Sequence, residues 1–369
     1  SGHSDANPAS IPVPDTAKRY FLTILPDQHD AGADPRTAAS RDCAVPGNCF
    51  TQSGRQVTPE LFNGGSTATL SVTLAGQPVP TAQIFARAFQ DSRPINGVWD
   101  NGEAPLGGWT VFIYDMDGKM MTDTFGHPLG TVYDADGNVV RLGDGTLHTM
   151  TAEEAADPAR NPYGIAEGEV LVKGIAPGKY GIRIVPPAGQ KWQQTSTIEG
   201  TPGLDTWVKA NEPRYFAEFG PAGHHAEFGF ITTNGALSDF PKSASDPDYV
   251  PPGGNSISGR IVNMRMARPP EVGFSGGHPL PGCWVGLNNQ AGTRGLVAVP
   301  CDEDSHFSFP GLADGTYQLV IWDTYLDNII ATQTVQVGAG APAPNGDLGD
   351  VPVFRWFGAH EHWVFNDLN

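Results

Sequence analysis

"KGIAPGKYGIRIVPP" at 173–187 and "PGLADGTYQLVIWD" at 310–323 carry one pattern: an apolar residue, a short turn ending in glycine, one residue, a tyrosine, and an alternating strand. A pattern repeated at this distance is the mark of a module used twice. Gly178 and Gly315 are expected to give the turn a permissive backbone. Tyr180 and Tyr317 are expected at the strand starts with their rings turned inward. Both stretches fit β-sandwich strands with one buried face.

The rest of the chain agrees with that reading. Gly 46 and Pro 33 in 369 residues far exceed the usual share. Between them lie short, alternating runs rich in Val and Thr, such as "GWTVFIYDMDGK", "GTVYDADGNVV" and "HAEFGFITT". Asp-Gly and Asn-Gly turns between such runs signal hairpins. Only "TAEEAADPARNPYG" reads as a short helix, and Pro158 interrupts it. The fold class is therefore all-β: tandem Greek-key β-sandwiches, immunoglobulin- or prealbumin-like, joined by short Pro/Gly linkers.

Composition shifts divide the chain. Residues 1–80 form an N-terminal sandwich-like unit with a long polar loop, and 81–233 a sandwich with an insertion. Residues 234–255 read as a linker, 256–353 as a further sandwich, and 354–369 as the first strand of another module. Four cysteines fall into two local pairs, Cys43 with Cys49 and Cys283 with Cys301. That usage favours disulfides and an oxidising compartment. A formal net charge of −18 leaves no basic patch for nucleic acid or anionic membrane. No run of about 18 apolar residues is present. Nucleophile elbow, zincin and phosphate-loop motifs are absent as well, so the expectation is a protein without catalysis.

The chemistry of the chain concentrates in "DSRPINGVWDNGE", Asp91 to Glu103. With Gly97 at the sharp-turn position of a calcium loop, Asn96 takes the fifth position and the Val98 carbonyl the seventh. Asp100 then takes the ninth and Glu103 the twelfth, where a bidentate carboxylate is needed. Asp91 lies one place too early for the first position, and Pro94 occupies the third. Weaker candidates are the Asp-x-Asp-Gly turns at Asp115/Asp117 and Asp134/Asp136/Asn138, read first as hairpin turns. Asp302 to His306 is read as a polar strand approach. His224/His225 and His360/His362 are read as packed or exposed histidines before any transition-metal site.

With "EAPLGGWTVFIYDMDG" after it, this loop resembles the calcium-binding B repeats of serine-aspartate-repeat surface proteins. The likeness spans about residues 84–185. Over 256–337 the chain is more similar to carboxypeptidase-regulatory or prealbumin-like sandwiches, with collagen-adhesin B modules in the same group. The resemblance implies a calcium cofactor held by Asp91, Asn96, Val98, Asp100 and Glu103. It also makes "WVFNDLN" the start of another repeat, with Asp367 as its first ligand and Asn369 as its third, so that the sequence is expected to be a window on a longer modular chain. The expected function is a segment of an extracellular or cell-surface structural or adhesive protein, a stalk, sheath or filament stiffened by calcium. Its expected partners are other copies or modules of the same protein, with extracellular matrix or polysaccharide. The alternatives are a carbohydrate- or matrix-binding module, expected to expose tryptophans on one face, and accessory domains of a secreted metal-dependent enzyme.

Overall fold

The computed structural model describes residues 15–20, 23–24, 56–57, 62–65, 81–116, 118–134, 138–198, 200–216, 222–232, 252–266, 274–328, 331–342 and 346–354. Near the N-terminus, β1 (Arg19–Tyr20) pairs with β4 (Phe62–Asn63), and β2 (Thr23–Ile24) pairs with β3 (Gln56–Val57). The rest of 1–80, with Cys43 and Cys49, lies outside the described residues, as does the linker before residue 252.

A first sandwich uses β5 (Ala82–Gln90), β6 (Thr110–Asp115), β7 (Gly118–Lys119), β8 (Val132–Tyr133), β9 (Val139–Arg141), β10 (Leu147–His148), β11 (Glu169–Ile175), β12 (Gly178–Val185), β13 (Trp192–Gln194), β14 (Leu204–Val208) and β15 (Ala226–Thr232). One sheet runs β11-β5-β15-β13 and the other β10-β6-β12-β14, with β7 on β6; β8 and β9 make a separate hairpin. The chain alternates between sheets, so sheet neighbours are distant in sequence, as a Greek-key order requires. Val111 and Ile113 on β6 face Ile84 on β5 and Phe228 and Phe230 on β15, with Ile182 and Ile184 of β12, in one core. The one helix among the described residues, α1 (Ala152–Ala155), is opened by a Thr151–Glu154 capping box and stops short of Pro158.

The second sandwich uses β16 (Pro252–Met266), β17 (Phe274–Pro279), β18 (Cys283–Asn288), β19 (Gly295–Pro300), β20 (His306–Leu312), β21 (Gly315–Asp323), β22 (Ala331–Val337) and β23 (Asp347–Phe354). Its sheets are β17-β16-β20, with β23 on β16, and β19-β18-β21-β22. The two sandwiches share a plan. In each, the opening strand pairs in parallel with the closing one, β5 with β15 and β16 with β23. In each, β11 or β20 flanks the opening strand, and β6-β12-β14 corresponds to β18-β21-β22.

The repeated tyrosines explain the shared corner. Tyr180 donates its hydroxyl to the Ala176 carbonyl at 2.7 Å, and Tyr317 donates to the Ala313 carbonyl at 3.1 Å. Both rings are buried. The glycine reading needs correction. Gly178 and Gly315 have ordinary backbone, and the left-handed φ falls four residues earlier, at Gly174 (73°) and Gly311 (78°). At Gly174 the β11–β5 register shifts by a bulge, which needs that conformation. Tyr180→Phe or Tyr317→Phe removes one buried hydrogen bond, and denaturant titration should show each losing about 1 kcal/mol.

Cys283 and Cys301 form a disulfide with Cα atoms 5.4 Å apart, closing 18 residues around the β18–β19 hairpin. Loop closure of this length stabilises by about 3 kcal/mol in the chain-entropy picture. Guanidinium melts with and without reductant should differ by that amount.

Candidate functional site

The segment 91–103 leaves the end of β5 and returns to it. The Gln90 amide donates to Ala104 O at 2.8 Å, and Phe89 bridges to Pro105. Two buried carboxylates hold the segment from inside. Asp91 accepts the Asn96 amide on Oδ1 at 2.9 Å and the Gly97 amide on Oδ2 at 2.8 Å. Glu103 accepts the Ser92 and Arg93 amides on Oε1, at 2.7 and 3.0 Å, and the Asp100 amide on Oε2 at 2.9 Å. Gly97 turns the chain at φ 77°. Asn96 spans the tip, accepting from the Val98 amide at 2.8 Å and donating to Asp100 Oδ2 at 2.7 Å.

Burial dominates the electrostatics of both acids. It pushes the Asp91 carboxyl up to about 7 against the pull of its hydrogen bonds to Thr195, Asn96 and Gly97. Glu103 rises to about 8, first from burial and then from the neighbouring Asp91, against the amides of Asp100, Arg93 and Ser92.

Of the side-chain oxygens assigned to an ion, those of Asp91, Asn96 and Glu103 accept the loop's own backbone amides and Asp100 Oδ2 accepts the Asn96 side chain, while Val98 is exposed. Among the described residues, no three His, Cys, Asp or Glu side chains group as a metal site. Asp91, one place early by calcium-loop spacing, is the buried centre of this hydrogen-bonded turn. Asp367 and Asn369 lie outside the described residues.

What the loop presents outward is a socket fitting. Ile95 is fully buried with Ile231 against Trp284, Ala298, Val320, Trp322 and Leu326 of the second sandwich. The Ile95 amide donates to Asn288 Oδ1 at 3.0 Å, and Asn288 Nδ2 donates back to Ile95 O at 3.0 Å. Gly295 N donates to Ser92 O at 2.8 Å. Gly286 makes room, since a Cβ there would lie 2.9 Å from Ile95 Cδ1 and 3.3 Å from the Trp322 ring. On its other side the loop covers the outer face of β5. Trp99 meets Phe89 edge-on at 5.4 Å, and the Arg87 guanidinium lies 4.4 Å from the Trp99 ring centre. The junction held by this loop is therefore between the two described sandwiches.

A buried polar network extends from Arg87. Its Nε donates to His224 Nδ1 at 2.9 Å, which places the imidazole proton on Nε2, 2.9 Å from Glu169 Oε1. His225 accepts the Phe85 amide on Nδ1 at 2.9 Å. These two histidines thus pack into the fold with different partners.

Asp134 accepts the Asn138 amide and side chain at 2.8 and 3.0 Å, closing the β8–β9 hairpin. Asp115 pairs with Gly118 across the β6–β7 turn. Asp302 accepts the amides of Asp304 and His306, at 3.0 and 2.8 Å, in the turn before β20. Asp117, Asp136, His360 and His362 lie outside the described residues. Sequence reading missed a buried group in which Tyr133 donates to Asp123 and its hydroxyl lies 2.7 Å from His127 Nδ1. It also missed Ile95, Asn288 and Gly286. Trp109, Trp284 and Trp322 are core, and Trp207 stands out at 66% exposed without a second exposed tryptophan among the described residues.

Fold and loop together define an all-β protein of tandem sandwiches docked through a buried loop. No protein-family model matches the sequence, and no curated protein matches it significantly. Solved structures with some likeness include a Streptococcal ancillary pilin, 13% identical, covering 80% of this chain and 69% of that one with a TM-score of 0.20. The shaft pilin SpaA of Lactobacillus rhamnosus GG is 11% identical and covers 76% of this chain and 100% of its own, at 0.22. The minor pilin of Streptococcus agalactiae is 10% identical, covering 76% and 99%, at 0.21. Scores this low carry no argument about the present chain.

Proposed function

We propose that this chain is a load-bearing segment of an extracellular or cell-surface structural protein, a stalk, sheath or filament built from β-sandwiches docked end to end. The observation behind the reading is the Ile95 socket. A loose string of domains gains nothing from a fully desolvated side chain and a two-way amide clamp at the junction. Inter-domain contacts with a buried apolar centre resist relative motion. The Cys283–Cys301 disulfide fits an oxidising compartment. Other copies or modules of the same kind are its partners. Antibodies against residues 81–354, applied as immunogold to intact cells of the source, should label surface structures. Intact cells without surface label, when sections of the same cells label only in the cytoplasm, defeat the reading.

Calcium stiffening is the finer proposal. A divalent cation at the loop would replace the protons that Asp91 and Glu103 carry near neutral pH, at the expense of some amide contacts. Calorimetric titration of wild type and Glu103→Ala with calcium is the test. Binding in the millimolar range or tighter that the variant loses supports the proposal, and equal or absent binding rejects it.

A further inference from the structure

A strand at the margin of a sheet leaves one row of amides and carbonyls without a ladder. Folded proteins guard such margins with short strands, charges, prolines or bulges. The margins of the first sandwich are guarded. β7, β10 and β13 are two or three residues long. β11 carries Glu169, Lys173 and the bulge at Gly174, and β14 carries Asp205. In the second sandwich β17 ends on Pro279 and β19 on Pro300. Pro310 lies in β20, and Asp350 and Pro352 lie in β23. β22 has none of these devices. Its seven residues, Ala-Thr-Gln-Thr-Val-Gln-Val, include no charge, proline or glycine. It pairs with β21 residue for residue from Ala331 to Val337, without a register shift. Among the described residues no other strand pairs with it.

The side chains of β22 define what can lie beside it. Val335 and Val337 are in the core, with Ala331 packed against it, so Thr332, Thr334 and Gln336 lie on the outer face, where they are exposed. A charged partner segment would find no counter-charge on this strand. The chain has a formal net charge of −18, so two copies repel wherever acidic margins meet. Pairing at β14 or β23 would bring Asp205 or Asp350 of two copies together, whereas β22 meets a second β22 without like charges. The strand is also complementary to itself. Antiparallel pairing centred on Thr334 sets it opposite the partner's Thr334, with Thr332 opposite the partner's Gln336 and Val335 opposite the partner's Gln333. Directly opposite residues share a face, so both cores stay on one side of the joined sheet. We propose that β22 is a lateral contact between copies of this chain, two β22 strands pairing antiparallel about a two-fold axis at Thr334. The proposal rests on the reading of the chain as a structural segment and adds a side-by-side contact to the end-to-end docking.

Sedimentation equilibrium of the full chain is the test. Wild type should dimerise with a dissociation constant on the order of 100 μM, since one strand edge makes a small contact. Thr334→Lys sets two ammonium groups face to face at the axis and should weaken the dimer at least about tenfold. An unchanged thermal melt shows that this variant is folded. Mild oxidation of Thr334→Cys should give a disulfide-linked dimer that oxidised wild type does not form, since opposite Cβ atoms in such a pair lie about 4.5–5.5 Å apart. Thr332→Cys, four residues out of register with its own copy, should not cross-link. A wild type that stays monomeric at about 0.5 mM overturns the proposal, whether β22 is open or covered by a segment of its own chain. That result leaves the surface-labelling test of the structural reading untouched. A dimer that Thr334→Lys does not weaken, or that Thr332→Cys cross-links as readily as Thr334→Cys, also overturns it.

Discussion

Replacing Ile95 by alanine should cost about 4 kcal/mol and split one cooperative unfolding transition of the two sandwiches into two. Ile95 is wholly buried, packs in one cluster with Trp322 and lies against Gly286. Emptying such a site removes transfer energy and leaves a cavity. Here the cavity lies at the junction, and rigid β-sheets on either side resist collapsing into it. Asn288 would keep its bonds to the backbone of residue 95, so the loss isolates the apolar contact. Ile95→Val, smaller by one methylene, should cost about 1 kcal/mol and keep a single transition. Calorimetry distinguishes the cases. A single transition in Ile95→Ala, displaced by less than about 1 kcal/mol, would mean that the socket does not couple the sandwiches.

Stability should fall as pH rises from about 4 to about 8. The Asp91 carboxyl holds its proton to about 7 in the folded state and to 3.8 as a free, solvated side chain. Glu103 behaves alike, about 8 against 4.5. A carboxyl with a raised folded-state pKa favours folding when protonated. Its contribution is full below the unfolded value and is lost as pH passes the folded one. For fully buried Asp91 the change is on the order of 4 kcal/mol. Asp91→Asn should flatten this profile, since an amide oxygen still accepts one of the two loop amides. Urea titrations at pH 5 and pH 8 give the comparison. Equal stability at both, in wild type and variant, would remove the buried acids from the account. If calcium occupies the loop, adding it at pH 8 should restore the loss in wild type alone.

The sandwich plan was legible because alternation and a repeated corner were local. Tyr180 and Tyr317 announced equivalent strands, and their hydroxyl contacts lie four residues back, within reach of a sequence pattern. The acidic loop was legible as a special turn, and Asp91, Asn96, Gly97 and Glu103 do build it. Spacing suited to cation ligands also suits carboxylates that accept amides, because both uses place oxygens inside a tight loop. Sequence alone does not separate them.

The docking partner was not legible, since Ile95 and Asn288 are 193 residues apart. One signal did exist. Every residue of β18, "CWVGLN", is buried, which departs from the alternation of a strand with one wet face. β5 departs from it too, since Phe85 and Phe89 are as buried as Ile84 on the opposite face. Burial on both faces of a strand means that its outer face is covered: Ile95 of the loop packs at Gly286 of β18, and Trp99 of the same loop packs on Phe89 of β5.

Residual dipolar couplings of backbone amides, recorded on the full chain, test the central claim most directly. Amides of β5–β15 and of β16–β23 should fit one alignment tensor of one magnitude if the Ile95 socket holds the two sandwiches as a single body. Separate tensors, or one sandwich aligned much more weakly than the other, would contradict it.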